Sequence, residues 1–276
     1  MVAPEWLRPL LYYKKTNNRK SIEVVGSPAA PNISDVDNQQ SLAIAHDVYR
    51  SIGVEIELEV REGEKGNSLG SPLEAAVREH LRERLPEGTF RRFGEQLPNN
   101  PAGPLKVADI DSGWVVGSEK IEVFEQYRHL ADMAKLFAEQ PSLRTLLGSD
   151  YQIKPDVTVG KELAGVRMLH AVVSCKWTMR SDRAQNVRQE FKQLIVARRG
   201  RTPHLVAVTA EPFPTRLLAL TRGTGETDAV YHVAFEEMES AVRAHGNKEQ
   251  RNAWTEMREQ RRLKDFNHLV DDLTTA

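Results

Sequence analysis

Apolar residues follow two spacings along this chain, and each spacing predicts a different kind of element. Short apolar runs bounded by turn residues predict strands, which lie near residues 156–160, 169–176, 204–209 and 229–235. Apolar residues that recur every three or four positions predict helices, which lie near residues 41–51, 72–85, 119–147 and 182–199, with further helical segments after the last strand. The chain is therefore predicted to adopt an α/β fold with a mixed central sheet and helices on both faces.

The remaining segments and the length favour one domain that spans the 276 residues. Residues 1–40 are polar and loop-like, with a structure breaker at Ser27-Pro28-Ala29-Ala30-Pro31, and are interpreted as an N-terminal arm. The stretch Leu97 to Pro104 is typical of a surface loop. The elements between residues 150 and 235 are expected to form the core sheet and the helix that carries the chemistry.

Charged side chains lie where the predicted core elements begin or end. Asp156 follows Pro155 and opens one strand, and Lys176 ends the next strand. Because side chains alternate along a strand, Ser174 and Lys176 share a face. This arrangement brings a carboxylate and an ammonium group to one edge of the predicted sheet.

A second carboxylate lies on the helix that follows. Glu190 is three residues after Val187 and four before Leu194, which places it on the apolar side of that helix. A carboxylate is costly in such a position unless it is paired or bound to a metal. We therefore expect a cation beside Glu190.

These residue types are suited to phosphodiester hydrolysis. Carboxylate oxygens of Asp156 and Glu190 would hold Mg²⁺, and Lys176 would orient the attacking water and offset charge on the phosphate. The ordinary alternative is an ion pair between Lys176 and Glu190, with Asp156 capping a turn. Each residue alone favours that alternative, whereas the three together on these elements favour a metal site. Their order resembles the PD-(D/E)xK nucleases, with Ser174 in place of the usual second acid.

A group of charged residues follows the lysine at the start of the predicted helix. Arg180, Asp182 and Arg183 suit major-groove reading of G·C pairs, because arginine pairs with guanine O6 and N7 and aspartate accepts from the cytosine amino group. Either Ser181 or Asp182 is the expected N-cap. The alternative is a solvated, salt-bridged helix start.

The stretch SCKWTMRSDRAQNVRQE, from Ser174 to Glu190, resembles the signature of the NgoMIV-type restriction endonucleases, in the wider CCGG-recognising group. The similarity continues on both sides of this stretch and covers the C-terminal half well. It includes Leu147-Gly148-Ser149-Asp150-Tyr151, Pro203-His204, Val208-Thr209-Ala210-Glu211-Pro212, Gly223-Thr224-Gly225-Glu226 and Val230-Tyr231-His232.

The resemblance implies a Type II enzyme that uses Mg²⁺ and cuts double-stranded DNA at GCCGGC after the first G, leaving four-base 5′ overhangs. The residues that match the catalytic set of the family are Asp156, Lys176, Glu190, Ser174 and Glu74. The residues that match its base-reading and groove-contacting set are Arg180, Asp182 and Arg183 for the inner CCGG, Arg216 and Asp35 for the outer G·C pair, and Asn67 in the minor groove.

Two features depart from the family pattern. The interval from Val157 to Val173 is short, whereas the family carries a long insert there that helps two dimers form a tetramer. A homodimer is therefore expected rather than a tetramer. In addition, Asn67 stands where the family has a glutamine, and its shorter amide weakens that assignment.

Charge and cysteine content fit this interpretation. The net charge is −1, but residues 176–201 hold eight basic side chains against Asp182 and Glu190, which gives a local positive patch for DNA. Lys14-Lys15 and Arg19-Lys20 make the N-terminal segment a candidate DNA-facing arm. The single cysteine fits a reducing cytoplasm, and the chain shows neither a membrane-spanning run nor a signal-peptide pattern.

Two other functions stay open from the sequence. One is a structure- or damage-directed nuclease of the same fold, which would have little use for a set of base-reading side chains such as Arg180 and Asp182. The other is a DNA-binding protein that no longer cleaves, for which an intact set of Asp156, Lys176 and Glu190 would be unnecessary.

Overall fold

A mixed β-sheet of six strands forms the centre of the protein in the computed structural model, which describes residues 2–56, 60–61, 70–86, 112–140, 142, 153–163, 165–223 and 225–275. Its strands run in the spatial order β4-β5-β6-β7-β8-β9. They are β4 (Ser112–Gly117), β5 (Val157–Leu163), β6 (Val166–Lys176), β7 (His204–Thr209), β8 (Ala229–His232) and β9 (Leu263–Asp265). A smaller sheet has the order β2-β1-β3 and consists of β1 (Tyr13–Lys15), β2 (Ala29–Pro31) and β3 (Val60–Arg61).

The larger sheet changes from antiparallel to parallel at β6. The β4–β5 and β5–β6 pairs are antiparallel, and β6, β7, β8 and β9 pair in parallel. Strands buried on both faces need continuous apolar sequence, and Val172, Val173, Val206 and Val208 are all almost fully buried. This pattern explains why β6 and β7 are easy to recognise in the sequence.

Helices flank the sheet, as the sequence predicts. They are α1 (Arg19–Val25), α2 (Gln39–Ile52), α3 (Gly70–Arg84), α4 (Arg128–Glu139), α5 (Ser181–Ala197), α6 (Pro214–Thr221), α7 (Phe235–His245), α8 (Lys248–Glu259) and α9 (Leu269–Thr275). None of the helices in the described ranges has the length and apolar character needed to cross a lipid bilayer. One hydrophobic core includes side chains from Leu7 to Leu273.

The N-terminal segment is the clearest correction to the sequence analysis. Instead of a loop-like arm, it forms a 3₁₀ helix at Glu5–Leu10 followed by β1, α1 and β2. Leu7, Leu11 and Tyr13 are buried in the core. These elements were missed because β1 is stabilised by pairing with distant β3 as well as with β2, and such pairing leaves little signal in a short polar segment.

Other differences concern the bounds of elements. The helix predicted from residue 119 begins only at Arg128, after two 3₁₀ turns at Ile121–Val123 and Glu125–Tyr127. The last strand of the sheet, β9, falls inside the region predicted to be helical. The predicted loop at residues 97–104 and the end of the predicted helix at 143–147 lie outside the described residues.

Candidate active site

Asp156 lies at the edge of the sheet where β5 begins and β6 ends. Because Val157 pairs with Val173, the Asp156 carboxylate is held against the last residues of β6. Its Oδ2 atom accepts hydrogen bonds from the Ser174 hydroxyl at 3.2 Å, the Cys175 backbone N–H at 2.7 Å and the Lys176 ammonium at 2.5 Å. These three donors fix one oxygen of the carboxylate and leave Oδ1 without a hydrogen bond from the described residues.

Ser174 and Lys176 share a face of β6, but their environments differ. Ser174 is fully buried, whereas the side chains of Lys176 and Asp156 remain 23% and 20% exposed. The ammonium–carboxylate pair can therefore be reached from outside the protein, and the serine can act only through Asp156. The observed partner of Lys176 is Asp156, so the alternative ion pair with Glu190 is not what the structure shows.

Glu190 reaches the same edge of the sheet from α5. That helix buries Val187, Phe191 and Leu194, and Glu190 lies on the same side with its Oε1 atom buried and without a hydrogen-bond partner among the described residues. Burial and the negative charge of Asp156 raise the pKa of Glu190 to about 7, although the charge of Lys176 opposes the rise. A buried carboxylate oxygen without a donor is costly, and this one is suited to a cation.

Glu74 belongs to the same electrostatic cluster from α3. Burial and the charge of Asp156 raise the pKa of Glu74, while Lys176, Arg78 and Lys154 oppose the rise. The structure thus brings together Asp156, Lys176, Glu190 and Glu74 from four separate elements. Sequence spacing alone could not show this for Glu74, which lies far before Asp156 in the chain.

The cluster fits a magnesium ion bound through two carboxylates. In the described part of the chain, no three His, Cys, Asp or Glu side chains are already grouped as a complete metal site. Mg²⁺ does not require such a group, because it commonly binds one or two protein carboxylates together with waters and substrate phosphates. The Oε1 atom of Glu190 and the Oδ1 atom of Asp156, neither of which has a hydrogen-bond partner among the described residues, are suited to such a site.

The charged residues after Lys176 lie at the start of α5. Arg180 is the N-cap, with no side-chain capping bond, so the expectation of Ser181 or Asp182 in that role is wrong. Arg180 and Asp182 are exposed, whereas Arg183 is partly buried and donates to the carbonyl and the hydroxyl of Thr178, each at 3.1 Å. The negative charge of Asp182 is favourable in the first helical turn, but its exposure also leaves it free to contact a ligand.

Arg216 and Asp35 are in direct contact although they are 181 residues apart in sequence. Burial raises the pKa of Asp35, but hydrogen bonds from Arg216 and Asp37 and the charges of Arg216 and Arg180 lower it overall. Burial and the charge of Arg180 also lower the pKa of Lys14. One surface therefore carries Arg180, Arg216, Asp35 and Lys14, which come from four different elements or loops.

Asn67 lies outside the described residues. Glu211, by contrast, had no predicted role. It is fully buried in the loop that follows β7, with its Oε1 atom 3.7 Å from Nη1 of Arg216. A lone glutamate between Ala210 and Pro212 carries no local signal of such a position.

Comparisons with known proteins identify the family of this chain. The model of the NgoMIV restriction enzyme family matches residues 12–165 and 161–275. The Type II restriction enzyme NgoMIV of Neisseria gonorrhoeae is 34% identical over 269 residues, which covers 87% of this chain and 88% of that protein. The two matched stretches overlap at residues 161–165, a range that includes the end of β5.

Proposed function

The chain belongs to the NgoMIV restriction enzyme family, and we propose that it cuts double-stranded DNA at the palindrome GCCGGC. It is a Type II restriction enzyme, and therefore a site-specific deoxyribonuclease. The proposed cut falls after the first G and leaves four-base 5′ overhangs, with Mg²⁺ as the cofactor. The unpaired cysteine, Cys175, is consistent with activity in the reducing cytoplasm.

The observation that carries the catalytic proposal is the pairing of Asp156 with Lys176 beside the partnerless Oε1 atom of Glu190. A structural ion pair would satisfy its neighbours, whereas this cluster leaves one buried carboxylate oxygen free. Asp156 and Glu190 would hold Mg²⁺, with Glu74 supporting the site from α3. When bound, Mg²⁺ supplies a nucleophilic water near neutral pH and offsets charge on the phosphate.

The side chains of this chain would perform the other tasks of the reaction. Lys176, which is exposed enough to meet a phosphate, would orient the attacking water and stabilise the negative charge that develops on the phosphate oxygens. The hydroxyl of Ser174 and the N–H of Cys175 hold Asp156 Oδ2, so its other oxygen would be available to the metal ion. Ser174 would therefore orient the carboxylate of Asp156 and would not itself bind the metal ion.

The surface next to this site would read the bases. Arg180, Asp182 and Arg183 would contact the inner CCGG, because arginine pairs with guanine and aspartate accepts from cytosine in the major groove. Arg216, held by Asp35, would read the outer G·C pair. Lys14 lies close enough to Arg180 for the two charges to interact, and it would contact the phosphate backbone.

A homodimer would apply one copy of these readers to each half of the palindrome. The interval from β5 to β6 is a hairpin, with β5 ending at Leu163 and β6 beginning at Val166, and it has no space for the long insert that assists tetramer formation in the family. We therefore expect a dimer that cuts single sites without a second bound site.

A plasmid digest tests the function directly. We expect Mg²⁺-dependent conversion of a plasmid with one GCCGGC site to linear DNA with CCGG overhangs, at a rate similar to that of a two-site plasmid, and no cutting of a plasmid without the site. Cutting of all plasmids would instead indicate a structure-directed nuclease. Specific binding without cutting of the one-site or two-site plasmid would indicate a non-cleaving DNA-binding protein, and cutting of the two-site plasmid alone would contradict the dimer.

Replacement of Arg216 should remove discrimination at the outer base pair. An Arg216→Gln variant cannot make the charged bidentate contact to guanine, and the loss of about 1–3 kcal/mol corresponds to about five- to 140-fold less discrimination. The measurement is the ratio of cleavage rates for GCCGGC and ACCGGT duplexes. Discrimination against changes within CCGG should stay as in the unmodified enzyme, and unchanged outer discrimination would rule out this role.

A further inference from the structure

Glu211 is a fully buried carboxylate that joins two loops on the DNA-facing side of the sheet. Lys176 at the end of β6 pairs in parallel register with Thr209 at the end of β7, so the loops that follow the two strands leave the sheet side by side. One loop leads through Met179 to Arg180 and α5, and the other leads through Glu211 to α6 and Arg216.

Each oxygen of the Glu211 carboxylate has a separate partner. Oε2 accepts a hydrogen bond of 2.7 Å from the Met179 N–H, in the loop that carries Arg180. Oε1 accepts a hydrogen bond of 3.1 Å from the Phe213 N–H and lies 3.7 Å from Arg216 Nη1. The carboxylate thus connects the backbone of Met179, directly before Arg180, to the side chain of Arg216.

The backbone around Glu211 is itself held in place. Its N–H donates to the Thr209 hydroxyl at 3.1 Å, and its carbonyl is 3.1 Å from Nε2 of His232. The neighbouring Ala210 N–H donates to the Trp177 carbonyl. A side chain fixed at both ends in this way can transmit the position of β7 to the loops, whereas a flexible surface carboxylate cannot.

We propose that Glu211 is a positioning residue that sets both the inner reader at the start of α5 and the outer reader Arg216. This inference rests on the proposed function, because it assigns Glu211 to the reading of GCCGGC. Burial raises the pKa of Glu211 to about 7, against the hydrogen bonds from Met179 and Phe213 and the charge of Arg216. An ionised carboxylate in such a place is costly, which indicates a role beyond filling the core.

A Glu211→Gln variant separates this role from a merely structural one. The amide places an NH2 donor where one carboxylate oxygen was, so in the same orientation it can accept from Met179 or from Phe213 but not from both. We expect discrimination to fall at outer and inner base pairs alike, with the single-turnover rate constant at GCCGGC about tenfold lower, since a hydrogen bond to a charged group is lost. The Arg216→Gln variant should lose outer discrimination alone.

Single-turnover cleavage also separates a folding defect from a positioning defect. The amplitude reports the fraction of folded enzyme, and the rate constant reports how well the folded enzyme is positioned. Glu226→Gln is the matched control, because this carboxylate forms an ion pair with Arg188 of α5 at 2.5 Å. Glu211→Asp, which keeps the charge but has a shorter side chain, should also lose discrimination at both the outer and the inner base pairs. If neither variant folds, hydrogen exchange of the Met179 amide in the unmodified protein decides, because the proposal requires strong protection.

The outcomes distinguish the inference from the function on which it rests. If Glu211→Gln and Glu211→Asp discriminate as the unmodified enzyme does, with only the amplitude reduced, Glu211 is structural and the inference is wrong. If the Met179 amide exchanges as an exposed amide does, the inference is also wrong. If the unmodified enzyme shows no preference for GCCGGC, the proposed specificity fails first, and this inference fails with it.

Discussion

An Asp156→Ala variant should bind a GCCGGC duplex about as tightly as the unmodified enzyme while its cleavage rate falls by roughly three orders of magnitude or more. Asp156 is the carboxylate on which the donors from Ser174, Cys175 and Lys176 converge. Its removal eliminates a proposed metal ligand and the partner of Lys176. The proposed base readers Arg180, Asp182 and Arg216 are not among its hydrogen-bond donors, so binding and catalysis should separate.

The measurement compares equilibrium binding in Ca²⁺ with single-turnover cleavage in Mg²⁺. Because the alanine leaves the Cys175 N–H without its acceptor, some loss of stability is expected, about 1–3 kcal/mol. Asp156→Asn retains an acceptor oxygen and checks that the loss of cleavage does not come from unfolding. Asp132→Ala removes an exposed carboxylate and should behave as the unmodified enzyme. Cleavage by Asp156→Asn within about tenfold of normal would remove Asp156 from the catalytic set.

The sequence predicted the central part of the fold because that part has strong local patterns. The strands β6 and β7 are continuous apolar runs, since both faces are buried, and α5 has apolar residues at helical spacing. Lys176 and Glu190 lie on β6 and α5, and Asp156 directly precedes β5, so their meeting at one edge of the sheet followed from the order of the elements. Glu190 was noticed because a carboxylate interrupts an apolar stripe, and its buried Oε1 atom is the structural counterpart of that signal.

Other parts depend on contacts between distant segments and could not be predicted in this way. The pairing of β1 with β3 joins segments that are more than forty positions apart in the printed sequence, and neither strand has a clear pattern of its own. The match of Asp35 with Arg216 came from family resemblance, whereas their contact is a result of the fold. Glu211 is a similar case, because its two partners, Met179 and Arg216, come together only when β6 and β7 pair.

A Glu190→Gln variant should be more stable than the unmodified protein above pH 7 without Mg²⁺, yet strongly impaired in cleavage. Burial and the charge of Asp156 raise the pKa of Glu190 from 4.5 to about 7 in the folded protein. Proton uptake therefore stabilises the folded state fully below about pH 4.5, and this stabilisation is lost as the pH rises through about 7. At pH 8 the ionised carboxylate costs up to about 3 kcal/mol, which a neutral amide avoids.

The stability part of this prediction is tested by measuring the thermal unfolding temperature at pH 5 and pH 8, with and without Mg²⁺. The advantage of Glu190→Gln should be larger at pH 8 than at pH 5, and Mg²⁺ should stabilise the unmodified protein more than the variant, because a ligand that binds the folded state raises its stability. Glu79→Gln, at an exposed position, should show neither effect. If Mg²⁺ stabilised both proteins equally, Glu190 would not be a ligand of the ion. The free-energy cost of the buried, partnerless Glu190 carboxylate is offset only if Mg²⁺ binds to it.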